Sequence, residues 1–426
     1  MRHVERHIVK ENSPIWQQID GLCFLSKNLY NYANYLVRQS FIFDQVYLGF
    51  NQIYHLVKDK PDYQALPRKV SQQVLKVLDK NWKSFFEAHK AYKENPSKFT
   101  GRPKLPKYKH KTKGRNLLIY TIQAISKTRL KKGIVKLSGT DINIPTKAKN
   151  IAQARIIPKT GQYVIEVVYD LPEHHTVTNS ELVAAIDIGV DNLAALTSNQ
   201  LGFTPILVNG RPLKSLNQFY NKTKAKLQSL LKGDKQTSRR IQRLTALRNN
   251  QVDSYLHLCS RWIIDYLDKC GISLLIIGKN PLWKQFVNNG KKNNQSFTSI
   301  PHAHFVEMLT YKGAIKGIKV VCSEESYTSL ASFLSLDTIP VYGSDEAKKV
   351  KFSGYRETRG MYKVKGKKIR INADVNGSYN IMRKVIPTVF DGGIEEDAIS
   401  EASSEIKAVR GVVVRPLRIT PGKTKN

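Results

Sequence analysis

Between residues 13 and 95, apolar side chains recur at three- and four-residue steps. Leu22, Leu25, Leu29, Tyr32 and Leu36 form one stripe, and Val70, Val74, Leu78, Phe85 and Phe86 form another. That period belongs to amphipathic helices, so a short helical bundle is expected over 13–95. Tyr30, Tyr32 and Tyr35 read as core at this spacing, although the same rings can stack on bases. The period stops at Pro96. From Lys98 to Arg115 there are eight basic residues and no acidic one, interleaved with Phe99, Gly101, Pro103, Pro106 and Tyr108. Glycine and prolines predict an extended loop there. Alternating segments at Gly133–Leu137 and Tyr163–Tyr169 then predict antiparallel strands and a small β-barrel around 115–172. From Leu182 onward, strands near 183–197, 274–277 and 318–322 alternate with helices over 212–232, 236–268 and 302–316, which predicts an α/β sheet with parallel members. Beyond Phe390 the chain turns acidic from Asp391 to Glu405, then basic, with few aromatics, so a disordered tail is expected over 391–426.

Charge sharpens this picture. The chain has 426 residues, 41% of them hydrophobic, and carries 69 Lys and Arg against 34 Asp and Glu, for a formal charge of +35. A compact molecule with that surplus repels itself unless a polyanion neutralises it, which points to nucleic acid. Within the helical stretch 212–268, residues 222–248 carry Lys222, Lys224, Lys226, Lys232, Lys235, Arg239, Arg240, Arg243 and Arg248 against one acid, Asp234. A merely solvated helix mixes signs, so this hairpin is expected to face nucleic acid. No run approaches the length of a membrane span, and the charged start has no signal-peptide core, so a cytoplasmic protein is expected. Cysteines 23, 259, 270 and 322 form no C-x-x-C pair and are expected to be free and mostly buried.

Candidate chemistry begins with Asp187, in the apolar run Leu182-Val-Ala-Ala-Ile-Asp187-Ile-Gly-Val190. An isolated carboxylate in a buried strand is costly, and a divalent cation is one solution. The alternative is an Asp that caps a local turn with Asn192. Asp374 lies in Ile371-Asn-Ala-Asp374-Val-Asn-Gly-Ser-Tyr-Asn380, where it either caps a helix or meets Asp187 at one edge of the sheet. Two-metal phosphodiester cleavage needs several carboxylates around ions ~3.5–4 Å apart.

At these residues a resemblance emerges. Ala185-Ile-Asp187-Ile-Gly-Val-Asp-Asn-Leu-Ala is similar to the first RuvC motif of the TnpB (OrfB) family of transposon-associated proteins, and Asn372-Ala-Asp374-Val-Asn-Gly-Ser-Tyr-Asn-Ile is similar to the third. Leu25-Ser-Lys-Asn-Leu-Tyr-Asn, Gly101-Arg-Pro-Lys-Leu-Pro-Lys-Tyr, Leu213-Lys-Ser-Leu-Asn-Gln and Tyr327-Thr-Ser extend the likeness from about residue 10 to 390. The resemblance implies an RNA-guided DNA endonuclease related to compact type V CRISPR effectors. Its partners would be a transposon-derived guide RNA and target double-stranded DNA, with Mg²⁺ (or Mn²⁺) at a single RuvC site. The implied fold is α/β plus α+β and multidomain. A first wedge strand (1–12) and a helical recognition domain (13–95) would precede a β-barrel wedge domain with its basic loop (96–175). A RuvC (RNase H-like) nuclease domain (180–390) would include the hairpin 212–268 and a target-loading loop at 328–370. Nucleic-acid contacts are expected at Lys98, Arg102, Lys104, Lys107, Tyr108, Lys109, Arg239, Arg240 and Arg243.

Two departures stand out. Where the family carries a zinc-knuckle cysteine pair, this chain has Ser332 and Ser335, so no structural zinc is expected, and Phe333, Leu334 and Leu336 would hold the loop by packing. Where the family's middle catalytic Glu ends a strand, this chain has Gly278. Glu324 and Glu325 end the next strand. If the strands of Asp187, Gly278 and Glu325 are neighbours, Glu325 starts ~10 Å from Asp187 and reaches across the glycine. The expected metal ligands are therefore Asp187, Glu325 (or Glu324) and Asp374, with Glu307 a weaker candidate. The alternative is a protein that binds DNA under RNA guidance without cutting it. A transposase that joins strands is a third, less favoured reading.

Overall fold

A computed structural model describes residues 2–171, 181–233, 235–280, 290–366, 368, 370–390 and 414–422. The chain is mixed α/β and divides into two compact units, Met1–Pro172 with Thr237–Ala246, and Glu173–Gln236 with Leu247–Asn426. Among the described residues no helix is long and apolar enough to cross a membrane.

In the first unit, β1 (Arg2–Val9) precedes helices α1 (Trp16–Gln39), α2 (Phe50–Val57), α3 (Pro61–Gln64) and α4 (Arg68–Glu94), with a short π-helix at Ser40–Asp44. Then follow β2 (Leu118–Thr121), α5 (Lys127–Leu130), β3 (Ile134–Lys136), β4 (Asn143–Pro145), β5 (Ile151–Lys159) and β6 (Gln162–Asp170). α1 buries Ile19, Cys23, Ser26, Tyr30, Ala33 and Val37, one face of a 3.6-residue period. α4 turns Val70, Val74, Leu78 and Trp82 inward and stops before Pro96, which cannot continue a helix. Of the three tyrosines expected in the core, Tyr30 is buried, Tyr32 packs against the core and Tyr35 is exposed. The predicted barrel takes another form. β1, β6, β5 and β2 make an open antiparallel sheet, and β3 and β4 make a separate ribbon, joined to Ile125 by one bridge at Leu137. The three-residue strands β3 and β4 are too short to complete a closed ladder.

In the second unit the elements are β7 (Val183–Ile188), β8 (Asn192–Ser198), β9 (Ile206–Asn209), α6 (Arg211–Ser229) and α7 (Arg239–Lys269), whose first turns group with the first unit. They continue with β10 (Leu274–Gly278), α8 (Lys291–Ser299), α9 (His302–Ile315), β11 (Lys319–Ser323), β12 (Gly354–Thr358), β13 (Met361–Val364), β14 (Arg370–Asn372), α10 (Ala373–Val385) and β15 (Leu417–Ile419). The main sheet runs β11-β10-β7-β8-β9-β15, with β10 parallel to both neighbours. The expected order for the strands of Asp187, Gly278 and Glu325 is thus observed. Strand alternation divides the core in two. Ala184, Ile186 and Ile188 face one cluster with Leu256, Ile263 and Phe305, while Val183 and Ala185 face the other with Val375, Tyr379 and Ile381 of α10. Asp187 follows the second set and so lies on the α10 side.

The strands expected near 183–197 are β7 and β8, paired antiparallel across the short connection 189–191. Two expectations change. The 328–370 loop contains β12 and β13, which make a three-stranded sheet with β14 at its end. The tail is not uniformly without structure, since Leu417–Ile419 pairs with β9, whose buried edge offers unpaired backbone groups. The acidic stretch 391–405 and Asp234 lie outside the described residues. All four cysteines are free, but only Cys23 and Cys259 are buried; Cys322 is exposed because β11 is an edge strand.

Candidate functional site

Three acids approach one another on the α10 face of the main sheet. β7 carries Asp187, and β10 beside it ends at Gly278, which is paired in register with Ser323 of β11. A turn follows β11, in which the Glu325 carbonyl accepts from the Thr328 N–H at 3.2 Å and its hydroxyl at 2.8 Å, while the Glu325 N–H donates to Asn280 Oδ1 at 3.0 Å. That turn aims Glu325 back across β10. A Cβ on residue 278 would stand 2.7 Å from Glu325 Oε2 and against Ile381. The space a side chain at 278 would need is therefore taken by the Ile381 side chain and the Glu325 carboxylate together.

α10 delivers the third acid. Asn372 caps the helix, accepting from the Asp374 and Val375 N–H groups at 3.1 and 3.2 Å, so Asp374 itself is not the cap. It accepts instead from Asn192 Nδ2 at 2.7 Å and from Arg356 at 3.4 Å. Asn192 thus serves Asp374 rather than a turn with Asp187. The Ser378 hydroxyl donates to the Ala185 carbonyl at 2.9 Å and lies 2.9 Å from the Thr197 hydroxyl, seating α10 on β7 and β8. One residue earlier, a Cβ at Gly377 would meet Asp187 Oδ2 at 2.7 Å, so only glycine leaves that carboxylate its room.

The electrostatics are those of under-neutralised acids. Burial, then the charges of Asp374 and Glu325, push the Asp187 carboxyl well above its usual range, and Arg356 offsets this only in part. Burial and neighbouring Glu324 raise Glu325 to about 7 against the pull of Lys384. Among the described residues, no three Asp, Glu, His or Cys side chains converge closely enough to ligate one ion, so the acids are neighbours rather than a closed cage. Their chemistry nevertheless fits a divalent cation, since three carboxylates share one partly desolvated corner with a single guanidinium beside them.

The other acids are committed elsewhere. Glu324 pairs with Lys384 and accepts from the Ser326 N–H. Burial would raise its carboxyl, but those partners reverse the shift and hold it below the ordinary value. Glu307 is exposed beside His304, outside this corner. Asp191 is neutralised by Lys214 at 2.8 Å and Arg359 at 3.2 Å.

The 328–337 loop reaches the same helix. Ser332 and Ser335 hydrogen-bond each other through their hydroxyls at 3.2 Å, and the Asp337 carboxylate accepts from the Ser332 and Ser353 N–H groups at 2.8 and 2.9 Å. Buried Asn376 and Asn380 of α10 donate to the Ala331 carbonyl at 2.8 and 2.7 Å. Phe333 stacks on Tyr379 with ring centroids 4.3 Å apart, while Leu334 is buried and Leu336 packs more loosely. Packing was expected to hold this loop; hydrogen bonds accepted by Asp337 and donated by Asn376 and Asn380 hold it as well.

The basic residues sit away from this corner in sequence. Lys98, Arg102, Lys104, Lys107, Tyr108 and Lys109 are all exposed. Arg239, Arg240 and Arg243 are exposed too, but Glu11 engages Arg243 at 2.7 Å and Arg239 at 3.8 Å. Sequence reasoning missed Arg356, Gly377 and Asp337. Gly377 lies inside a quoted motif, where a glycine mid-helix is a signal; Arg356 and Asp337 carry none.

Residues 166–283 match the OrfB_IS605 family model, described as "Probable transposase", and residues 302–381 match the Cas12f1-like TNB domain model. These segments carry Asp187, Gly278, Glu325 and Asp374, and they bear out the resemblance to the TnpB (OrfB) family. No curated protein matches. Among solved structures, a Cas12f1–sgRNA–target DNA complex is similar at 14% identity and TM-score 0.35, covering 89% of this chain and 98% of that one. A CRISPR–Cas12f ternary complex is similar at 14% identity and TM-score 0.35, covering 86% and 82% respectively.

Proposed function

We propose that this chain is an RNA-guided DNA endonuclease that cuts phosphodiester bonds at a single RuvC-like, RNase H-like site. The observation that carries the reading is the Glu325 carboxylate standing in the space beside Gly278, next to Asp187 and Asp374. The acid absent from position 278 is in this way supplied from the adjacent strand. That arrangement weakens the alternative of a protein that binds DNA without cutting, whose main support was Gly278 itself. The OrfB and Cas12f1-like TNB matches and the +35 charge support nucleic-acid partners: a transposon-derived guide RNA and target double-stranded DNA.

Asp187, Glu325 and Asp374 would hold magnesium or manganese, which when bound activates water and neutralises the leaving oxygen. Asn192 orients Asp374, and Gly377 keeps the Asp187 carboxylate clear. The Glu325 turn, capped by Thr328, fixes the third acid. In this scheme the helices of 13–95 form a recognition domain, the sheet of β1, β2, β5 and β6 serves as the wedge, and 328–370 is the target-loading segment. The exposed cations of the 98–109 loop and of α7 would hold phosphates.

The test is plasmid cleavage by protein co-expressed with its native flanking transcript. Asp187→Ala is expected to abolish magnesium-dependent cutting while RNA binding stays near normal. Undiminished cutting by that variant would end the proposal.

A further inference from the structure

The basic loop is not a free strap. Its backbone is fastened to α1 by four side chains spaced on one helical face. Lys27 Nζ donates to the Lys111 carbonyl at 2.6 Å, and Asn31 exchanges two 2.8 Å bonds with the Lys109 backbone. Asn34 Nδ2 and Arg38 Nη1 donate to the Pro106 carbonyl at 3.0 and 3.1 Å. Asn34 is fully buried and also accepts from Trp82 Nε1 at 3.0 Å, which ties the loop to α4. A solvated linker has no use for such a ladder. The ladder spends the loop's backbone groups on the helix and holds its side chains in a fixed row.

Between this row and α4 lies a groove of about 430 Å³. Its walls are aromatic: Tyr30, Phe85 and Tyr108. The Tyr108 ring is 45% exposed and steadied by the Arg38 guanidinium, 5.2 Å from its centroid. Lys109 Nζ stands 5.4 Å over the Tyr30 ring, whose hydroxyl accepts from Asn81 at 3.1 Å. Lys104 and Lys107 also line it, and no acidic side chain is present among the described residues that form it.

Aromatic faces meet nucleobases only where bases are unstacked, and lysines alongside meet the phosphates of the same strand. The volume is near the lower end of small-ligand sites, about 300–1,000 Å³, which suits one nucleotide and not a duplex. Asn81 and the Ser84 hydroxyl add polar groups that a ribose 2′-hydroxyl or a base edge can use. We propose that this groove receives a single unpaired nucleotide of RNA, its base against Tyr108 and Phe85 and its flanking phosphates on Lys104 and Lys107. The inference rests on the RNA-guided reading and adds to it a subsite for a splayed base.

The experiment uses the full chain and three labelled probes: oligouridylate (rU10), oligothymidylate (dT10) and a blunt 20-base-pair DNA duplex. Tyr108→Ala is expected to weaken rU10 binding about 10-fold, within the range for loss of one stacking partner, with Tyr108→Phe restoring it. Duplex affinity should change less than twofold, and the salt dependence of rU10 binding should be unaltered. Lys107→Ala should instead flatten that salt dependence. Tyr108 is exposed, so its removal leaves the core intact, and Phe85→Leu gives an independent loss on the opposite wall. No effect of Tyr108→Ala, or an equal loss for rU10 and duplex, overturns the groove and leaves a general basic surface. Tighter, Tyr108-dependent binding of dT10 also overturns it, assigning the groove to displaced DNA. Guide-dependent plasmid cleavage by the same variants is scored separately: cutting by wild type with no groove effect refutes the subsite alone, whereas no RNA-dependent cutting by wild type refutes the functional reading.

Discussion

Replacing Glu325 by Gln removes a charge while keeping the shape that fills the gap beside Gly278. The Glu325 carboxyl rises from its ordinary 4.5 to about 7 on folding, chiefly through burial. An acid whose folded value is raised holds its proton longer in the folded state than in the unfolded one. Stability therefore falls as pH climbs from about 4.5 to about 7, and the full cost is present above that window. At about 1.36 kcal/mol per pH unit the bound is roughly 3 kcal/mol. Glu325 keeps some solvent access, so screening reduces this to about 1–3 kcal/mol. In EDTA at pH 8, Glu325→Gln is expected to melt higher than wild type, by about 2–4 °C per kcal/mol. At pH 4.5 the two should coincide. Magnesium should raise the wild-type melting temperature at pH 8, above the Glu325 value, and do so far less for the variant. Cleavage by the variant should drop at least 100-fold. Scanning calorimetry with and without magnesium reads the first effects, and plasmid nicking reads the last. A variant less stable than wild type in EDTA at pH 8, or one that cuts normally, would refute the assignment of Glu325 to this site.

Three further outcomes follow from the same geometry. Glu324→Gln should leave cutting within threefold of wild type and cost less than about 1 kcal/mol, because its ion pair with Lys384 is partly exposed. That small loss should appear at neutral pH and vanish as pH falls below the ordinary carboxylate range, since the Glu324 carboxyl is held low in the fold. Arg356→Ala removes the guanidinium 3.4 Å from Asp374 and should lower the magnesium concentration for half-maximal cleavage several-fold; no shift would deny that the arginine competes for the acid. Asp337→Ala strands two backbone N–H groups and should destabilise the second unit by about 2–4 kcal/mol in urea titration, while a zinc chelator leaves the wild-type midpoint unchanged.

Much of this was legible in the amino-acid pattern because period and burial coincide. The stripes on α1 and α4, the apolar run of β7 and the alternation of strands with helices each reflect one face meeting one core. The motif around Asp374 and the pair at Glu324 and Glu325 were visible as chemistry. Which glutamate turns inward was not. That choice depends on the turn closed by Thr328 and on Lys384 engaging Glu324, and both are tertiary facts. β12 and β13 escaped notice because Gly354-Tyr-Arg-Glu-Thr is charged and its only buried residue is a glycine. The ladder of Lys27, Asn31, Asn34 and Arg38 was hidden for another reason: polar residues at helical spacing look like a solvated face until a second segment is laid along them.

The return of Leu417–Ile419 to the main sheet has a practical consequence for anyone shortening this protein. The weakly patterned stretch after Phe390 invites removal as dispensable, yet deleting everything beyond it would strip β9 of its parallel neighbour and of the Asn209–Thr420 bond. An uncapped row of amide and carbonyl groups would then be left bare along Ile206–Asn209, ready to recruit strands from other molecules. Miniaturised versions should loop out the intervening segment and keep the final strand, or else expect to precipitate.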